Sequence, residues 1–422
     1  MKKILIINKS DSTGGAAVVS RRLMEALRAE GADARMLVVE KLTDSPFVEV
    51  AAPPEKEMIP FLAERLKIFL ANGLSRKTLF KIDTASDGLP LWEHPLVKGA
   101  DLVLLNWVNQ GMLSLRGVRR ILEMGKPVAW TMHDMWCMTG VCHHAAECRG
   151  FEKECGCCPL LGRLGGRSDL SRRVWRSKRK LYGLPERLRF VAVSRWLEGK
   201  ARQSSLLRDA DVRVIPNAFN IDMAIASSGE GRKPAGDGKI RLLIGAARLD
   251  DPIKGLPVLV EATKIIADKY PGLAQRMELT TFGGVKDGKS LQGMGIPHRH
   301  LGMVKGEENV RDVYENADVL VSASSYETLP GTLVEAQAYG CIPVSFDQGG
   351  QGDIVDHEQT GYLASYSDNV KLAAAHLADG LVWAAGIVEN PEEFARMRTR
   401  MRESVRARFS YSAVARAYLE MI

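Results

Sequence analysis

The sequence predicts an α/β protein made of two doubly wound domains in tandem. Three observations carry this. The chain has 422 residues, more than one ordinary core organises, which suggests two domains of roughly 150–220 residues. Short β-rich apolar runs alternate with longer runs of helical spacing, the pattern of a parallel sheet with helices on both faces. The alternation pauses once, at "VIPNAFNIDMAIASSGEGRKPAGDGK", a stretch rich in Gly, Pro, Ser and charge, and then restarts. The predicted organisation is a first domain over 1–215, a linker region over 216–238, a second domain over 239–405 and a C-terminal segment over 406–422.

The elements run in this order. "KILIIN" reads as a strand and "GGAAVVSRRLMEALRAEG" as a helix closed by Gly31. "ARMLVVE" is the next strand, and "FLAERLKIFLANGL" has helical spacing inside a less regular region. "DLVLLNW", "PVAWTMHD" and "RFVAVS" are further strands with helices between them. After the pause come "IRLLIGAARL", a strand, "GLPVLVEATKIIADKY", a helix, and "MELTTFGG", a strand. "RHLGMV" is a short strand candidate and "ENVRDVYENA" a helix; beyond residue 367 the chain reads as helices. In such a fold the default ligand site is the cleft between the strand C-termini of the two domains.

Composition narrows the class. Hydrophobic content of 45% and charged content of 26% fit a soluble globular chain. The apolar runs fall short of the roughly 20 residues a membrane span needs. The N-terminal "MKKILIINKS" turns polar after Ile7 and reads as a strand rather than a leader, so a cytoplasmic protein is expected. A net charge of +7 permits anionic partners without choosing one. The excess is local: Arg163 to Lys180 holds eight Lys or Arg against one Asp. That run is either a solvated helix face or a surface, through Arg172, Arg173, Arg176 and Arg179, for an anionic membrane. Apart from Trp175 it lacks interleaved aromatics, which argues against nucleic acid.

The chemistry gathers in "SSYETLPGTLVEAQAYG", between "ADVLVSA" and "CIPVSF". Pro330 suits a first helical turn and Gly340 a C-terminal cap. The N–H groups of Gly331, Thr332 and Leu333 then face outward at a helix N-terminus, a ready site for phosphate or carboxylate. Glu335 sits one turn in and Glu327 in the loop before it. Both carboxylates suit vicinal hydroxyls of a sugar or ribose, unless they merely complement the helix dipole. "GAARLDDPIKG" carries Arg248 and Lys254 straight after a predicted strand, two cations matched to a diphosphate. Gly349 and Gly350 lie between a strand and a helix start, where glycine lets backbone approach a ligand. Gly14 and Gly15 open a helix after the first strand and make a second anion-friendly terminus.

In this order, R-x5-K, E-x7-E and Gly-Gly across a second doubly wound domain resemble the retaining, nucleotide-sugar-dependent glycosyltransferases of family 4, which have the GT-B fold. "YETLPGTLVEAQAYGCIPVSFDQGG" is the most specific match, and "VSRWL" and "IPN" extend the resemblance over the whole chain. The resemblance implies two Rossmann-like domains facing across a cleft. It implies that Arg248 and Lys254 neutralise the donor diphosphate, that Glu335 binds the ribose and that Glu327 contacts the donor sugar near the reacting centre. Gly331 and its neighbours support sugar or phosphates, and Gly14 and Gly15 close on the phosphate. His133, in "WTMHDMW", positions the donor sugar, while Asp134 either orients His133 or caps the next helix. The last helix, "SYSAVARAYLEMI", crosses back to the first domain. Two departures stand out: Leu329-Pro330 replaces the usual Phe-Gly, and Asn217-Ala218-Phe219 replaces Asn-Gly-Val.

Six of the seven cysteines fall between Cys137 and Cys158. Cys142, Cys148, Cys155 and Cys158 are spaced x5, x6 and x2, a set able to close a tetrahedral structural zinc site. His143, His144 and Cys157 are alternative ligands, and reduced thiols or disulfides are the alternatives to metal. Similar cysteine-rich inserts follow the His-Asp motif in a branch resembling bacterial polysaccharide transferases such as those for colanic acid. The expected function is therefore transfer of a sugar from a UDP- or GDP-linked donor to a lipid-linked or oligosaccharide acceptor, with retention and without a catalytic metal. A sugar-nucleotide epimerase of the same fold and a zinc- and nucleic-acid-binding module are the competing readings.

Overall fold

The computed structural model describes residues 1–184, 188–227 and 237–421. The chain divides into two compact units: residues 1–218 with 414–422, and residues 219–413.

The first unit is built on a seven-stranded, all-parallel sheet. Its strands are β1 (Lys3–Ile7), β2 (Asp33–Val38), β3 (Val48–Val50), β4 (Leu102–Leu105), β5 (Val128–Met132), β6 (Leu188–Ala192) and β7 (Val212–Val214), in the order β3-β2-β1-β4-β5-β6-β7. The order reverses between β1 and β4, so the chain leaves the two central strands toward opposite flanks and opens a crevice at their carboxyl ends. Both strands read as unbroken apolar runs because they are buried on both faces: Ile4–Ile7 and Leu102–Leu105 are each exposed by 4% or less. The helix Tyr411–Glu420 finishes on this unit, where Tyr418 Oη and Thr131 Oγ1 lie 3.0 Å apart.

The second unit holds a six-stranded parallel sheet: β8 (Ile240–Arg248), β9 (Met277–Gly284), β10 (His298–His300), β11 (Val319–Ser322), β12 (Ile342–Phe346) and β13 (Tyr362–Ala364), in the order β10-β9-β8-β11-β12-β13. Here the reversal falls between β8 and β11. Helices Leu256–Lys269, Val370–Glu389 and Pro391–Phe409 bury Leu259, Ile266, Leu377, Leu381 and Met397 in the core of this sheet. Val370–Glu389 is long and apolar enough to cross a membrane, but half of it is buried in this core.

Several differences from the expected elements have local causes. The region read as linker holds the helix Ile221–Ser227, and β8 starts at Ile240; residues 228–236 of that linker lie outside the described residues. The expected strand "RHLGMV" is only the edge strand β10 and ends at His300. β3, β7 and β13, three residues each, carry too few positions to show a period.

Candidate active site

In the second unit, β8 ends at Arg248 and a 3₁₀ turn over Pro252–Lys254 follows, with Asp251 accepting from the Ile253 N–H at 3.2 Å. Gly255 then turns the chain with φ 66°, and a Cβ there would collide with the Ala323 carbonyl just beyond β11. That close approach brings Lys254 beside the loop after β11, and its Nζ lies 2.6 Å from Glu327 Oε1. The two side chains are 29% and 20% exposed, so the pair is partly dehydrated yet reachable.

The Glu327 backbone is fixed as well. It forms a parallel bridge with Gly349, and its carbonyl accepts the Gly350 N–H at 2.9 Å. Gly349 has φ 143° and ψ −140°, a backbone region almost confined to glycine. The helix Gly331–Tyr339 starts after Pro330 with no side-chain cap, and Phe219 packs beneath Gly331. The Leu333 N–H does not face outward as expected: it donates to the Pro330 carbonyl at 3.1 Å, and the residue is fully buried. The first helical turn tightens around Pro330, so Gly331 and Thr332 carry the open part of this terminus. Glu335 Oε2 accepts from Tyr314 Oη at 3.2 Å, and Tyr314 is buried and stacked on Tyr339 with centroids 5.3 Å apart. Arg248 is 54% exposed, with its guanidinium 3.5 Å from Asp250. The structure thus joins Lys254, Glu327, Gly349 and Gly350 directly and sets Glu335 and Arg248 on other partners.

In the first unit, Gly14 and Gly15 open the helix Gly15–Ala29, also without a side-chain cap. His133 follows β5, half-buried, and its Nε2 lies 2.7 Å from Asn106 Oδ1 at the end of β4. Burial pushes the His133 imidazole down to about 4, against the pull of the Asp134 charge, so it is neutral at physiological pH. Asp134 caps: its Oδ1 accepts the Trp136 N–H at 2.7 Å, and its Oδ2 meets His143 Nδ1 at 2.6 Å. His143 Nε2 is 2.6 Å from Asp83 Oδ2. Burial opposes charge on His143, but Asp134 and Asp83 together outweigh it and raise the imidazolium to about 10. This clamp removes His143 from the candidate metal ligands. Asn106, Asp83 and Tyr314 have no motif of their own; each meets its partner only through the fold.

The cysteine insert folds beside this clamp. Cys142, Cys148, Cys155 and Cys158 line one small cavity, and no disulfide joins cysteines among the described residues. Cys155 Sγ accepts the Gly140 N–H at 3.2 Å. Such an N–H···S bond suits a thiolate sulfur, so the donor chemistry fits a soft d10 cation. Among the described residues, however, no three His, Cys, Asp or Glu side chains are gathered closely enough to hold a metal as they stand. Burial pushes Cys142 up to about 12 and Cys155 up to about 11, so without a cation both stay protonated. In the basic run, Lys178 is fully buried rather than solvated, donating to the carbonyls of Trp136 at 2.5 Å and Thr139 at 3.1 Å. Arg172 pairs with Glu154. The turn of chain around the insert needs these cations as internal ties.

Two parallel-sheet α/β units of this kind match the GT-B glycosyltransferase fold. The family described as Glycosyltransferase Family 4 matches residues 13–223, and the one described as Glycosyl transferases group 1 matches 240–378. The chain belongs to these group 1 and family 4 glycosyltransferases.

Among curated relatives, it is 28% identical over 245 residues to a putative colanic acid biosynthesis glycosyl transferase, WcaC, of Escherichia coli, covering 55% of this chain and 56% of that protein. It is 28% identical over 183 residues to a phosphatidyl-myo-inositol mannosyltransferase of Mycobacterium tuberculosis, covering 43% of this chain and 46% of that protein. The chain spans between about a third and just over half of the length of the curated relatives it matches first. Among solved structures, Anabaena HepE in complex with UDP and glucose aligns with TM-score 0.59 at 16% identity, covering 100% of this chain and 99% of that one. A sucrose-phosphate synthase of Thermosynechococcus elongatus aligns with TM-score 0.62 at 19% identity, covering 100% and 98%.

Proposed function

We propose that the chain transfers a glycosyl group from a nucleoside-diphosphate sugar to an acceptor hydroxyl, with retention at the anomeric carbon. The observation that carries this reading is the Lys254–Glu327 pair at 2.6 Å, held at the strand-order reversal beside an uncapped helix start. A fixed cation and an open helix N-terminus suit a leaving diphosphate; a carboxylate beside them suits sugar hydroxyls.

The bond that breaks joins the anomeric carbon to a β-phosphate oxygen, and its electron pair leaves with the diphosphate. The acceptor oxygen bonds on the same face, and its proton passes to the departing phosphate oxygen. Lys254, Arg248 and the Gly331–Thr332 N–H groups oppose the growing negative charge. Approach of a diphosphate draws Lys254 from Glu327, which frees the carboxylate for the sugar. Glu335, oriented by Tyr314, takes the ribose hydroxyls. Neutral His133, with Asn106 on its Nε2, is assigned to hold the donor sugar by hydrogen bonding rather than by charge, and Gly14 and Gly15 to the phosphate. The cations carry the charge work in this reading, so turnover is expected to persist in a chelator.

The relative in colanic acid synthesis supports a role in bacterial surface polysaccharide, with a lipid-linked or oligosaccharide acceptor at the cytoplasmic membrane face. HepE, seen with UDP and glucose, supports testing UDP-sugars first. The Gly140 N–H···S bond and the cavity the four cysteines share support a structural zinc held by Cys142, Cys148, Cys155 and Cys158; it would stiffen the insert and take no part in the reaction. The test is incubation with UDP-, GDP- and ADP-sugars and a lipid-diphosphate acceptor, with NMR of the product. Transfer with the donor's anomeric configuration retained supports the reading. An epimerised donor without transfer, or an inverted product, contradicts it.

A further inference from the structure

The helix Pro54–Ala71 is folded inside out. Its buried face carries charge: Glu64 accepts the N–H groups of Thr84 and Ala85 at 2.7 Å and of Gly111 at 3.0 Å. Arg65 pairs with Asp83 and donates to the Leu79 carbonyl at 2.6 Å. These bonds fix the roll of the helix, so its opposite face has no route inward. That face is apolar. Ile59, Leu62, Leu66 and Leu70 are exposed by 71%, 55%, 57% and 56%, and Leu74 and Phe80 by 61% each just beyond the helix. Seven of the nineteen exposed large apolar side chains among the described residues fall between positions 58 and 80. Scattered single hydrophobes are ordinary; a continuous stripe of this kind marks a contact surface.

The charges around the stripe select the occupant. Lys56, Arg76, Lys77 and Lys81 are exposed beside it, and Lys67 is exposed but paired with Asp87 at 2.5 Å, against Glu55 as the one exposed acid of the 54–81 segment. A second copy docking through the same face would set these cations against each other. A bilayer with anionic headgroups satisfies both parts, apolar side chains entering the acyl boundary and cations staying among the phosphates.

We propose that the outward face of Pro54–Ala71, with the 74–81 segment, seats the chain on an anionic lipid bilayer. The seat lies at the sheet edge that matters. Glu57 in the first helical turn pairs with Lys9, just after β1, and Lys9 Nζ also donates to the Gln110 carbonyl at 3.2 Å. A lipid-linked acceptor would therefore arrive beside the carboxyl edge of the first sheet. That consequence rests on the transferase reading; the seat itself does not. The 163–180 run is the competing surface: Lys178 and Arg172 are engaged internally there, while Arg173, Arg176 and Arg179 stay exposed.

The test is flotation of the full chain with vesicles of phosphatidylcholine, with and without phosphatidylglycerol. The wild type should float with the anionic vesicles and at least tenfold less with neutral ones. Ile59→Ser/Leu62→Ser/Leu66→Ser should lower flotation at least tenfold with unchanged thermal unfolding. Arg76→Glu/Lys77→Glu/Lys81→Glu should do the same and remove the salt dependence. Arg172→Glu/Arg173→Glu/Arg176→Glu should change flotation less than twofold. A wild type that stays with neither vesicle, or a serine triple that floats normally, overturns the proposal. So does light scattering that reports a dimer which the serine triple dissociates. Donor binding measured on the same proteins separates the two readings. A wild type that binds donor but does not float sinks the seat alone, and a wild type that floats without binding donor sinks the transferase reading alone.

Discussion

Replacing Gly349 by alanine should disarm the site from behind. Gly349 has φ 143° and ψ −140°, so an alanine there carries backbone strain of about 1–3 kcal/mol. Its Cβ would also stand closer than 3.0 Å to the Glu327 carbonyl oxygen. Restoring an ordinary contact of about 3.5 Å requires a shift on the order of an ångström in the Glu327 loop. That shift breaks the Gly350 N–H bond to the same carbonyl, now 2.9 Å, at a further cost of about 1 kcal/mol. The sum, about 2–4 kcal/mol, lowers the unfolding temperature without abolishing folding. The larger effect is functional, because Glu327 moves off the 2.6 Å contact with Lys254. A misplacement of that size costs about 100-fold in turnover. The assay is steady-state transfer beside thermal unfolding, with Gly352→Ala as the control: its Cβ would meet only Asp347 Oδ1, at 3.2 Å. A Gly349→Ala protein with wild-type turnover would refute the coupling between this glycine and Glu327.

Other outcomes rest on the same geometry. Glu335→Ala should raise the donor KM roughly 10-fold with kcat nearly unchanged, and Glu327→Gln should lower kcat with little effect on KM; the reverse split would exchange their roles. His133 should stay neutral down to about pH 4 because burial disfavours its charge. The unfolded chain takes up that proton near pH 6.5, so folding loses stability as pH falls through this window, and His133→Gln should flatten that loss; an NMR titration midpoint near 6.5 would contradict it. Metal analysis of the purified chain should find about one zinc, lost in Cys155→Ser/Cys158→Ser; a metal-free wild type with four titratable thiols would remove the zinc site.

The sequence made the scaffold legible because parallel strands buried on both faces read as apolar runs, as in "KILIIN" and "DLVLLNW". It also marked the residues that need a special backbone or a charge at a strand end, such as Gly349, Lys254 and Glu327. It was silent where chemistry depends on a partner far along the chain. Asp83 and His143 are 60 residues apart, Asn106 and His133 27, and Tyr314 and Glu335 21. Lys178 shows the same limit in reverse: within a basic run it looks solvated, and only the fold reveals two carbonyls waiting for it. The helix Pro54–Ala71 misleads by period alone, since its apolar spacing is real but the stripe points outward.

Lys254 and its neighbours are proposed to hold a nucleoside-diphosphate sugar. Calorimetric titration of UDP-, GDP- and ADP-sugars into the wild type and Lys254→Ala tests this most directly. One donor class should bind the wild type, and Lys254→Ala should weaken it by about 1.5–3 kcal/mol, roughly 10- to 150-fold. Equal affinity of both proteins for that donor would contradict this role of Lys254.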